Sequence, residues 1–128
     1  MILVISGKKT IRLVNLEFQT WFPSLRMDFF IQGSTGLTKV DDSSRLSAAG
    51  LTQSGLLELK SDMQVEVLEE IMLSRFGLTV HISRKLGSSW METSLSGHWS
   101  LGKQDQLGQS IFENILQEPA SVRRQHGK

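Results

Sequence analysis

With no cysteine in the chain, three histidines (His81, His98, His126) and thirteen acidic residues are the groups able to do metal or acid–base chemistry. A catalytic metal needs three or four converging ligands, commonly imidazoles with carboxylates. His81, Glu58 and Glu92 can share a sheet face only in a favourable strand order. Tandem βαββ modules do host metal enzymes of the glyoxalase-like class, so a metal-dependent enzyme stands as the least favoured alternative, by analogy of fold alone. Asp41-Asp42 is followed by two serines, a composition that makes turns through side-chain bonds to nearby backbone. Glu66, Glu69 and Glu70 fall on the solvated side of a predicted helix. Ser96-Gly97-His98 puts a hydroxyl near an imidazole but lacks the Gly-x-Ser-x-Gly frame that exposes a nucleophile. Gly50-Leu51-Thr52-Gln53-Ser54-Gly55 has the glycine spacing of a phosphate loop. However, Leu56 and Leu57 stand where Lys and Ser/Thr are needed, and a strand follows rather than a helix. No catalytic residue, metal or cofactor is assigned, and the expectation is a non-catalytic protein.

The elements that position these groups repeat. Shifting the chain by 54 positions lays Leu3 on Leu57, Ile5 on Leu59, Ile11 on Val65, Leu13 on Val67, Val14 on Leu68, Phe18 on Met72 and Phe22 on Phe76. One deletion later, Leu25 falls on Leu78, Met27 on Val80 and Phe29 on Ile82, and further on Leu46 falls near Leu101. Ile2–Ile5 is an apolar, β-branched run suited to a strand buried on both faces. Ile11, Val14, Phe18 and Phe22 make one helical stripe, which Pro23 ends. Met27, Phe29 and Ile31 then alternate onto one face of a strand.

In the second copy, Leu57 and Leu59 point inward from a strand over 56–60. Ser61-Asp62-Met63-Gln64 fits a capping box. The helical stripe is Val65, Leu68, Met72 and Phe76, and Gly77 is placed to stop it in a left-handed conformation. A strand over 79–84, a hairpin loop over 85–89 and a returning strand over 90–94 follow. Between the copies, the register predicts a weak strand near Leu37–Val40 and a helical turn near Arg45–Ala49. A further helix is expected over about 103–117, with Leu107, Ile111, Phe112, Ile115 and Leu116 on its apolar side.

The sum is a single α+β domain over 1–118, a two-layer sandwich of two pseudo-repeated βαβ(β) units, ferredoxin-like or a tandem variant. The repeats cover about 2–53 and 56–108, with an added C-terminal helix; a basic tail over 119–128 (Arg123, Arg124, His126, Lys128) is expected to be disordered. Hydrophobic residues at 39% and a net charge of +1 argue against a disordered chain. No run approaches the roughly 18 apolar residues of a membrane span. The absence of cysteine excludes disulfides, thiolate catalysis and cysteine-ligated metals. The N-terminal apolar run is too short for a signal peptide's core, and Lys8 and Lys9 follow it rather than precede it, so the expected compartment is the cytoplasm.

Two blocks carry a likeness. One is Phe22-Pro23-Ser24-Leu25-Arg26-Met27-Asp28-Phe29-Phe30. The other runs from Phe76-Gly77-Leu78-Thr79-Val80 through Arg84-Lys85 to Trp90-Met91-Glu92-Thr93 and Trp99-Ser100-Leu101. Together, over roughly residues 1 to 108, they resemble a group of small bacterial proteins of unknown function. The resemblance implies a two-layer α+β domain and a bacterial source, and it supplies no activity and no functional residue.

Surplus apolar residues point to a surface. On a helical wheel Leu13 and Leu16 lie opposite the first stripe, and Val67 takes the place of Leu13 in the second helix. Such residues need a cover: the third helix, through residues such as Phe112 and Leu116, or a partner chain. The copies also differ in charge, +2 over residues 1–31 and −3 over 56–82, which a homodimer or another protein can exploit. The favoured expectation is a cytoplasmic protein-binding or assembly module, without a membrane partner, whose contacts to another chain are made by Leu13, Leu16, Val67 and, on the third helix, Phe112 and Leu116. The alternative is single-stranded nucleic-acid binding on a sheet face bearing Phe30, His81, Arg84 and Trp90, where aromatics interleave with a base-stacking cation.

Overall fold

The computed structural model describes the backbone of residues 1–117 and the side chains of residues 1–109. The expected tail over 119–128, and the side chains of Phe112 and Leu116, lie outside the described residues. The elements are β1 (Ile2–Ile5), α1 (Ile11–Trp21), β2 (Leu25–Gly33), β3 (Gly36–Lys39), β4 (Gly55–Glu58), α2 (Val65–Phe76), β5 (Thr79–Leu86), β6 (Ser89–Glu92) and α3 (Leu101–Gln117). Short 3-10 turns occupy Leu46–Ala49 and Ser94–Ser96. The fold is α+β, and no helix among the described residues is long and apolar enough to cross a membrane.

Both helical stripes are buried as their spacing predicts: Ile11, Val14, Phe18 and Phe22 on one side, Val65, Leu68, Met72 and Phe76 on the other. Thr10 caps α1, its hydroxyl accepting from Leu13 N at 3.1 Å. The capping box expected at Ser61–Gln64 does not form. Gln64 is itself the N-cap, extended and bridged to Ser100, with no side-chain cap bond. The free N–H groups of the first turn are taken by backbone instead, Val65 N donating to Trp99 O (3.0 Å) and Glu66 N to Gly97 O (2.9 Å). Gly77 ends α2 at φ 71°, with its N–H on Leu73 O and the next N–H on Met72 O.

β1 and β4 pair antiparallel with each other, and the main sheet runs β3-β2-β5-β6, antiparallel throughout. A ferredoxin-like sheet, or a tandem with every strand in one sheet, is therefore not the order observed. The first strand of each unit leaves the main sheet for a small one of its own.

The repeat is visible in the register. Leu3 faces Leu57, and Asp28 faces His81, so residues at equivalent positions of the two units meet across a pseudo-twofold axis. Tertiary hydrogen bonds repeat with it. Arg12 N donates to Asp42 O as Glu66 N does to Gly97 O, both at 2.9 Å. Leu46 N donates to Lys9 O as Leu101 N does to Met63 O. The first turn of α3 is thus the counterpart of the 3-10 turn at Leu46–Ala49, and the rest of α3 extends it.

One core joins all these parts. Leu3, Ile5 and Leu57 of the small sheet, with Leu59 just after it, meet Met27, Phe29, Val80 and Ile82 of the main sheet, together with both helical stripes. β1 is buried on one face only, a correction to its reading as a doubly buried strand: the small sheet is an outer layer, and Ile2, Val4 and Leu56 are exposed on its far side. Ile31 is also exposed, because β2 runs past the end of the core.

Candidate interaction surfaces

α1 lies along an unpaired stretch of strand. β3 covers β2 only from Phe30 onward, which leaves the backbone of Met27 without a strand neighbour on that side. Asn15 substitutes for one: its Oδ1 accepts from Met27 N (2.8 Å) and its Nδ2 donates to Met27 O (2.9 Å). Beside this contact opens a groove of about 530 Å³, with Arg12, Leu16 and Gln19 on the helix side and Arg26, Asp28 and Lys39 on the sheet side. Asp28 is held from three directions. Ser83 Oγ donates to it at 2.7 Å, Arg26 lies against it as an ion pair at 2.7 Å with a bond from Nη2 at 3.2 Å, and Lys39 stands 3.3 Å away. The outward side of α1 carries Leu13 and Leu16, 42% and 62% exposed.

α2 lies along β5 in a similar way, but its contact falls two residues further along the strand, since Ile82 is the counterpart of Phe29 and not of Met27. Glu69, at the position of Asn15, accepts from Ile82 N at 2.8 Å. Burial raises its pKa, with that backbone bond acting in the opposite direction. The outward side of α2 carries Glu66, Val67, Glu70 and Leu73, with Val67 41% exposed. Backbone groups of Met27 and Phe29 point toward the β3 side and those of Ile82 toward the β6 side, so the helices occupy opposite flanks of the sheet. Leu13 and Leu16 are therefore on one face, and Val67 is on another.

The third helix covers neither flank with its described residues. It docks on β5 and β2 through Leu101, Gln104, Asp105 and Gly108, a face spaced three, four and seven along the helix. Only the first of these is a large apolar residue, so hydrophobicity does not mark the docked start of the helix; of the expected apolar side, only the side chain of Leu107 lies within the described residues. Gln104 is the anchor. Its Oε1 accepts from Arg84 Nη1 (2.7 Å), and its Nε2 donates to Ser96 O (2.9 Å) and Ser96 Oγ (2.7 Å). Asp105 Oδ1 accepts from Ser24 N at 2.7 Å, and burial raises the pKa of this carboxyl.

The same docking corrects the face drawn for nucleic acid. Arg84 is only 6% exposed, and it pairs across the strands with Met91, while Trp90 pairs with Lys85 and so projects to the other side of the sheet. Phe30 and His81 do lie together on that outer side, edge to face at 5.1 Å. The guanidinium beside Trp90 is that of Arg26, 4.6 Å from the ring centre, and it is already engaged by Asp28. The outer face keeps its aromatics and loses the cation on which it was drawn.

The remaining candidates are dispersed. His81 and Glu92 are in the main sheet and Glu58 is in the small one, so the three do not share a face. Among the described residues no group of three or more His, Asp or Glu residues is placed to hold a metal ion. Asp41 accepts from Ser43 N at 3.1 Å, a turn bond that lowers its pKa. The Ser96 hydroxyl is taken by Gln104, and the His98 ring packs edge-on near Trp99. Gly50 closes the 3-10 turn and Gly55 opens β4, so the glycine-rich segment leads into a strand.

Sequence reasoning also missed the apolar outer side of the small sheet, because a short apolar run does not tell one buried face from two. The edges of this sheet are partly blocked against further strands: Lys9 Nζ donates to Val4 O (2.8 Å) and Arg75 Nη2 to Leu56 O (3.1 Å). Comparison with protein-family models, curated proteins and solved structures finds no match to this chain.

Proposed function

We propose that the protein is a non-catalytic binding or assembly module of the cytoplasm that engages protein chains, its own or another, through the outward faces of α1 and α2. One observation carries this reading. Leu13, Leu16, Val67 and Leu73 project outward from helices whose buried stripes are already complete, and each stays more than 40% exposed. The groove beside α1 adds shape to one of these faces, and its lining of Arg12, Arg26 and Lys39 with Asp28, Asp41 and Asp42 adds charge of both signs. Apolar centres with a charged rim are the usual composition of a protein interface.

The test is a double substitution, Leu13→Asp with Leu16→Asp. Both residues are exposed, so the fold tolerates the change while the α1 face becomes acidic and loses its apolar centre. The expected result is loss of self-association by light scattering, or loss of a chain captured from the native host. If both readouts match the unmodified protein, α1 is not the interaction surface.

A further inference from the structure

We infer that the occupant of the α1 face is the α2 face of a second copy of this chain, joined head to tail. The inference rests on the binding-module reading above and names its partner. The pseudo-twofold axis gives the two flanks the same backbone: each helix starts from an isolated bridge (Thr10 with Arg45, Gln64 with Ser100), and each reaches a strand edge through the residue at the position of Asn15. Their exposed charges are reversed at three pairs of equivalent positions, although the α1 side also carries Asp41 and Asp42 beside Arg12. Lys8 corresponds to Asp62, Arg12 to Glu66 and Lys39 to Glu92, and all six are exposed. Between them Leu13, 42% exposed, is matched by Val67 at 41%, while Leu16 is matched by Glu70.

Like faces therefore repel and unlike faces match. Two α1 faces would set Lys8 and Arg12 against their own copies, and two α2 faces would gather Asp62, Glu66 and Glu70. An α1 face on an α2 face brings Arg12 to Glu66 with Leu13 on Val67, so the same charges that favour this contact disfavour the symmetric ones. Arg12 is available for the exchange. Its present partner is Asp42 at 3.0 Å, and both side chains are more than half exposed, a kind of pair that contributes little. Because the faces lie on opposite flanks, each contact leaves one free face of each kind. Such a heterologous contact extends into a filament or closes into a ring rather than stopping at two copies.

Reversing the charges one at a time tests this. The unmodified protein is expected to gain mass with concentration at low salt, measured by sedimentation, and to lose that gain as salt rises. Arg12→Glu alone and Glu66→Arg alone are each expected to weaken association about tenfold or more. An equimolar mixture of the two variants regains it, because the reversed face of one meets the reversed face of the other. The double variant R12E/E66R in one chain regains it too, which separates a lost contact from a lost fold.

An unmodified protein that stays monomeric at low salt overturns the inference, as does a mixture that fails to regain mass. Sensitivity to R12E without sensitivity to E66R also overturns it, since the α2 face then takes no part in the contact. A monomeric protein whose capture of a different chain is still lost on Leu13→Asp with Leu16→Asp leaves the binding-module reading standing. Failure of that capture as well removes both.

Discussion

Asn15 and Glu69 occupy equivalent positions and face different demands. In the first unit Met27 presents both an N–H and a C=O to α1, and the carboxamide of Asn15, donor and acceptor at once, satisfies both. In the second unit Ile82 presents its N–H to Glu69, while its C=O is already taken by Thr93 N (3.2 Å) and Thr93 Oγ1 (2.8 Å). An acceptor-only carboxylate is then sufficient, although burial raises its pKa. Asn15→Leu is therefore expected to leave two buried backbone groups unsatisfied and to cost about 3 kcal/mol in urea unfolding, from roughly 1–3 kcal/mol per orphaned group less the gain in apolar burial. A loss under about 1 kcal/mol would mean that water reaches the strand edge and replaces the carboxamide.

At the scale of elements, the junction between α2 and β5 depends on Gly77. Its φ of 71° is costly for any residue with a Cβ, and a Cβ built there would stand 2.6 Å from Thr52 Cγ2. Thr52 is fixed in turn, its N–H donating to Phe76 O at 2.9 Å. Gly77→Ala is expected to lose about 2 kcal/mol, from backbone strain of roughly 1–3 kcal/mol together with displacement of the 50–52 segment. A thermal midpoint equal to that of the unmodified protein would contradict this.

The role of Gly77, like the stripes at Ile11–Phe22 and Val65–Phe76, is legible in the sequence because its cause is local: a period of three and four, then a residue that permits left-handed backbone. Where the cause is distant the sequence misleads. The start of α2 is set by carbonyls of Gly97 and Trp99, more than thirty residues away, so the serine expected to cap it does not. The start of the docking face of α3 is set by polar contacts to Arg84 and Ser24, which no apolar pattern singles out. The exposure of Leu13, Leu16 and Val67 follows from stripe geometry, but their separation onto two flanks follows from a sheet order that no local pattern encodes.

At the scale of the molecule, neither unit can close a core by itself. The small sheet pairs β1 of the first unit with β4 of the second, and the centre of the main sheet pairs β2 with β5. Without its partner, each unit would expose the inner faces of both central strands, and each repeat, 2–53 or 56–108, is shorter than the roughly 60 residues at which a domain is already marginal. The intact chain is therefore expected to unfold in a single transition, with tryptophan fluorescence and far-ultraviolet circular dichroism coincident. Residues 1–54 and 55–128, prepared separately, are expected to lack a cooperative transition, and mixing them restores the native spectrum through the same cross-unit strand pairs. The two halves also carry opposite charge over their strand–helix–strand segments, so their recombination should be faster at low salt than at high salt. A half that unfolds cooperatively on its own, or an intact chain with two separated transitions, would mean that the units are independent domains and that the pseudo-twofold axis is an accident of packing.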